Sequence, residues 1–68
     1  MTIKEGMNMT HVALMNENVY RTYEEDIEGV LYEEYEYVED GETTLIIVAK
    51  DDVITEVIED DERIYDRV

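Results

Sequence analysis

The sequence predicts a mainly β fold, an antiparallel meander of four to five strands with at most one short helix. Three observations carry this reading. LYEEYEYV at 31–38 and TTLIIVAK at 43–50 are β-rich runs separated by EDGE, and an Asp-Gly step between such runs is a strong hairpin signal. A second tight turn, DD at 51–52, leads from TTLIIVAK into VITEVI at 53–58. Finally, fifteen of the 68 residues are Val or Ile and none is Pro, so nothing interrupts pairing.

Taken in order, MTIKEGMNM at 1–9 has no clear period and reads as a loose lead-in. Thr10 to Met15 alternates as a strand, NEN at 16–18 supplies a turn, and VYRTYE at 19–24 returns as a β-rich strand. This hairpin is preferred over a helical stripe of Val12, Met15, Val19 and Tyr23 with Thr10 as its N-cap. That rival would give an α+β fold, an N-terminal helix packed on a three-stranded sheet. Glu25 to Val30 contains Gly29 and reads as a connection or a single helical turn. TTLIIVAK, apolar on both faces, is expected at the centre of the sheet. RIYDRV at 63–68 is expected as a short helix or a last strand.

Length bounds the chain to one small domain, residues 1–68. A core of this size supplies only about 3–5 kcal/mol, and natural examples add disulfides, metals or a partner chain. With no cysteine the first is excluded, as are thiolate zinc sites, so a homodimer is expected. No run approaches the roughly 18 apolar residues of a membrane span, and the N-terminus lacks the pattern of a secretory signal. A cytoplasmic location is the resulting expectation.

Catalytic sets are missing. The chain has no Ser and no Cys, and His11 is its one histidine, so the common nucleophile–base arrangements, and a two-histidine zinc site within one chain, cannot be built. Neither EDGE, DDV nor EDDE has the spacing of an EF-hand loop. The expectation is a non-enzyme with no cofactor and no dedicated metal.

Charge is the dominant feature. Twenty acids face five bases, a net charge of −15, and residues 24–68 carry all of it. Such a surface repels nucleic acid and anionic membranes and favours a basic partner. A domain needing only solubility does well with a net charge of magnitude about 2–8. Two acidic segments flank TTLIIVAK. The first contributes Glu24, Glu25, Asp26, Glu28, Glu33, Glu34, Glu36, Glu39, Asp40 and Glu42. The second contributes Asp51, Asp52, Glu56, Glu59, Asp60, Asp61 and Glu62. With Tyr35 and Tyr37 as aromatic anchors, these are the expected partner-binding residues.

The density resembles that of a phosphate backbone. Duplex DNA carries one charge per about 1.7 Å, so this net charge matches roughly 25 Å of duplex. A compact chain of this length has a diameter of roughly 28 Å. Alternate residues on one strand face stand about 6.8 Å apart, close to the separation of successive phosphates. Glu34 and Glu36 are expected on one face of their strand, with Glu33, Tyr35 and Tyr37 on the other. Competing readings are an acidic module whose charge serves solubility, and a cation-binding module.

In size, in its acid-rich runs EEDIEGVLYEEYEYVEDGE and DDVITEVIEDDE, and in lacking a catalytic set, the chain resembles the small acidic DNA-mimic proteins of bacteriophages. Those proteins share a strategy and not a fold. The resemblance implies binding to a basic host protein in the infected bacterial cytoplasm, with the nucleoid protein HU the favoured target. Other targets of the group are uracil-DNA glycosylase, restriction enzymes, CRISPR nucleases and RNA polymerase.

Overall fold

A computed structural model describes residues 2–59. A short helix α1 (Met9–Met15) precedes four strands: β1 (Val19–Ile27), β2 (Val30–Glu39), β3 (Glu42–Lys50) and β4 (Val53–Glu59). The strands form one antiparallel sheet in the order β1-β2-β3-β4. The mainly β meander with one short helix is therefore the fold. RIYDRV lies outside the described residues.

All three hairpins close with two-residue turns in which both residues have positive φ. The pairs are Glu28 and Gly29 (52° and 83°), Asp40 and Gly41 (51° and 79°), and Asp51 and Asp52 (47° and 68°). This mirror-image turn matches the twist of the flanking strands, which is why Asp-Gly steps favour hairpins. Gly29 overturns the expected connection at 25–30. Ile27 pairs with Val30 across the turn, so β1 runs on through the acidic residues.

The second correction concerns residues 10–15, which are helical and not the first arm of a hairpin. The cap is Asn8 and not Thr10: Asn8 Oδ1 accepts from the His11 amide at 2.8 Å. At the other end Asn16 Nδ2 donates to the Val12 carbonyl at 2.8 Å, ending the helix one turn before the β-rich run. Ala13, Leu14 and Met15 are also better helix formers than strand formers. β1 consequently pairs with β2, and among the described residues the sheet has four strands.

Asp52 fixes α1 to the sheet. Its carboxylate accepts from Thr10 N (3.1 Å), Thr10 Oγ1 (2.8 Å) and Asn8 Nδ2 (2.8 Å), and its carbonyl accepts from Met9 N. Residues 6–8 meanwhile bond along β4, with Gly6 N donating to Ile54 O and Ile54 N to Met7 O. Met9 and Val12 are thus pressed onto Tyr35, Ile47, Ala49 and Ile54, the single core cluster. Complete burial of an aliphatic side chain contributes roughly 1.5–3 kcal/mol. α1 covers one face of the sheet; the opposite face carries no element among the described residues.

Each strand pairing has one extra residue, and in all three it is a threonine: Thr22, Thr44 and Thr55. Each hydroxyl donates to a carbonyl on the neighbouring strand, Thr22 to Glu34 (3.3 Å), Thr44 to Tyr37 (3.4 Å) and Thr55 to Val48 (3.3 Å). A bulge leaves the ladder locally short of a donor, and the hydroxyl supplies one while the β-branch keeps the backbone extended.

Two outcomes follow. Asp52→Ala removes three acceptor contacts at a left-handed position and is expected to cost about 1–3 kcal/mol by urea denaturation. Thr→Val at the bulges keeps shape and β-propensity while deleting the hydroxyl, so each is expected to cost roughly 0.5–1.5 kcal/mol. Equal stability of the triple valine variant would show that the hydroxyls are incidental.

Candidate binding surface

The register sorts the acids by place. Directly paired residues share a face, so Arg21, Glu33, Tyr35 and Tyr37 point toward α1 with Leu45, Ile47 and Ala49. The opposite, open face is built of cross-strand rows. One row runs Tyr23, Glu34, Val48, Glu56; the next runs Tyr20, Glu36, Ile46, Ile58; a third runs Glu25, Tyr32, Lys50, Val53. Glu34 and Glu36 do share a face opposite Glu33, as the alternation requires.

Glu33 and Tyr35 are withdrawn from the expected partner-binding set, because only 4% and 9% of their surfaces are exposed. Glu33 Oε2 accepts from the Tyr35 hydroxyl at 3.0 Å and from Arg21 Nη1 at 3.4 Å. Arg21 reaches Glu24 as well, at 3.5 Å, and Glu24 is the larger cause of its raised pKa, ahead of the bond to Glu33. Burial, then the bond to Glu33, pushes the Tyr35 phenol above its ordinary value. A carboxylate on the core face is tolerable only with such partners. Tyr37 is half-buried on the same face, in a shallow groove with Ile3, Leu45 and Val57.

Asp52 is likewise occupied, holding α1, and Asp51 Oδ1 accepts from Leu31 N at 3.0 Å. Exposed acids remain at both ends of the sheet. Asp26, Glu28 and Asp51 cluster where β1–β2 and β3–β4 turn; Glu39, Asp40, Glu42 and Glu59 lie at the other end. Glu24 stands on the β1 edge, and Glu25, Glu34, Glu36 and Glu56 on the open face. Asp60, Asp61 and Glu62 lie outside the described residues.

The aromatic residues of the open face are Tyr20, Tyr23 and Tyr32, which the sequence reading did not select. Tyr23 and Tyr32 meet edge to face with ring centroids 6.0 Å apart. The Tyr32 hydroxyl donates to Glu34 at 2.9 Å, and the Tyr23 hydroxyl donates to Glu25. These bonds are the main reason that both phenols are pushed above their ordinary pKa. Thr43 holds Glu36 through a third hydroxyl. Three of the four carboxylates on this face are therefore oriented by a neighbouring hydroxyl. Knowing that β1 lies beside β2 would have found them, since that pairing alone puts Tyr20 and Tyr23 beside Glu36 and Glu34.

Among the described residues no three His, Asp or Glu side chains converge as a metal site, and no helix is long and apolar enough to cross a membrane. No protein-family model, curated protein or solved structure matches the chain.

The Arg21–Glu33 contact gives a test of the buried carboxylate. Arg21→Leu strands Glu33 and is expected to lower the melting temperature clearly, whereas Glu24→Gln, at an exposed pair, leaves it nearly unchanged. Adding Glu33→Gln to Arg21→Leu should restore most of the loss. No restoration would mean that Arg21 acts by packing alone.

Proposed function

We propose that this protein is an acidic DNA mimic that occupies the DNA-binding surface of a basic protein and blocks its access to DNA. The observation that carries this reading is a hydrogen-bonded sheet displaying carboxylates that its own bases do not neutralise. Residues 2–59 hold sixteen acids against Lys4, Arg21 and Lys50, and Arg21 is engaged with Glu24 and Glu33. Glu34 and Glu36, two residues apart on one strand face, stand at the phosphate-like interval of about 6.8 Å. HU is the target favoured by the resemblance to phage DNA mimics, which also supplies the bacterial cytoplasm as the place of action.

Binding to HU is then expected to be competed by duplex DNA and to weaken about a hundredfold or more between 50 and 200 mM salt, as multiple charge contacts require. Titration calorimetry at a series of salt concentrations, with and without a DNA competitor, reads both. Salt-independent affinity, or binding that DNA leaves unchanged, would remove the mimicry.

A further inference from the structure

Of the large apolar side chains that remain exposed, two lie on α1, Leu14 and Met15; the other six are Tyr20, Tyr23, Ile27, Val30, Val53 and Ile58. Register places all six on the open face. A chain with this much charge available would ordinarily put it there. Instead aromatic and aliphatic groups share its rows with carboxylates, alternating strictly along Tyr23, Glu34, Val48 and Glu56. Ile27, Val30 and Tyr32 also line a shallow apolar depression with Lys50.

We infer that this open face is the docking surface, and that its occupant is an arginine-bearing protein surface. The inference rests on the proposed function and names where the contact is made and which cation it selects. Guanidinium suits this face in three ways. It is planar and weakly hydrated, so it stacks on exposed phenol rings such as Tyr20 and Tyr23, where an ammonium keeps its water. It pairs in a fork with carboxylates whose orientation is already set, as those of Glu25 and Glu34 are by the two tyrosine hydroxyls. Its aliphatic stem covers Val and Ile surface while the charge reaches the acids. Among the described residues the face's own base is Lys50, and Arg21 points to the other side. A second copy of the chain fits less well, because it would bring two sets of Glu25, Glu34, Glu36 and Glu56 into one interface with a single Lys50 from each copy to offset them.

The test uses the full chain, ¹⁵N-labelled, titrated with two synthetic probes of equal charge, an alternating Arg-Ala dodecapeptide and its Lys-Ala twin. Amide shifts are expected to concentrate on residues of the open-face rows, with the arginine peptide binding several-fold tighter, about twofold to fivefold for each ring it stacks on. Tyr20→Ser with Tyr23→Ser keeps the net charge and is expected to bring the two affinities together. Equal affinity of the two peptides for the wild-type chain, or shifts centred on Glu39–Glu42, would overturn the assignment. So would open-face shifts that depend on protein concentration without peptide, which would reveal a second copy there. Because HU is absent from this titration, failure here leaves the mimicry test standing, and failure with HU leaves the docking face standing.

Discussion

One carboxylate, Asp52, holds the cover on this protein. Helix α1 is seven residues long, too short to be stable by itself, and Asp52 ties its first turn to the β3–β4 hairpin, beside the bonds of residues 6–8 along β4 and the burial of Met9 and Val12. The same residue sits in a left-handed turn conformation, which aspartate tolerates better than most residues. Turn geometry, helix docking and core closure therefore converge on a side chain that composition alone would count as one more surface charge. With α1 in place, Met9 and Val12 seal Ile47, Ala49 and Ile54. Nothing similar covers the other side of the sheet among the described residues.

The local chemistry of the sheet was readable in advance because it is local. EDGE and DD announce their turns within four residues, and TTLIIVAK shows by its apolar run that it lies in the middle of the sheet. What could not be read depends on residues distant in sequence. Thr10 to Met15 can be written as a strand or a helix, and besides the local caps Asn8 and Asn16 the helix depends on Asp52, more than forty positions away. Glu33 looks like Glu34 and Glu36 until β1 brings Arg21 beside it. Glu28–Gly29 was hidden for another reason: the acids before it lower β-propensity, so the strand end resembled a loop. The bulges at Thr22, Thr44 and Thr55 left no signal, since threonine is an ordinary strand residue.

Part of the charge does structural service. β1 is an edge strand exposed along almost its whole length, and an open edge invites pairing with another chain. Glu24, Glu25 and Asp26 place three like charges along it. The β4 edge is managed differently, since residues 6–8 bond to its first residues. Acids at the hairpin turns occupy positions where positive φ already restricts the choice of residue. Edge protection and turn geometry therefore account for many of the carboxylates, but not for Glu34, Glu36 and Glu56, which interrupt the sheet face itself.

Shape narrows the matter further. The sequence suggested a ball roughly 28 Å across; the described residues form a slab with extents of 41 × 26 × 17 Å. Over residues 2–59 sixteen acids and three bases leave a net charge of −13, so along 41 Å there is one charge per about 3.2 Å, sparser than the roughly 1.7 Å of duplex DNA. Charge per length thus falls short of that of DNA, and on the proposed function the slab compensates where it makes contact. Fixed carboxylates contribute more than mobile ones because no ordering cost remains at binding. Tyrosine rings contribute area that a phosphate backbone lacks. A basic surface that bound only by charge would prefer DNA to this protein. On the proposed function, the reason to prefer the protein lies in the rows where Tyr20, Tyr23 and Tyr32 stand beside Glu36, Glu34 and Glu25, and those rows are on the face that α1 leaves bare.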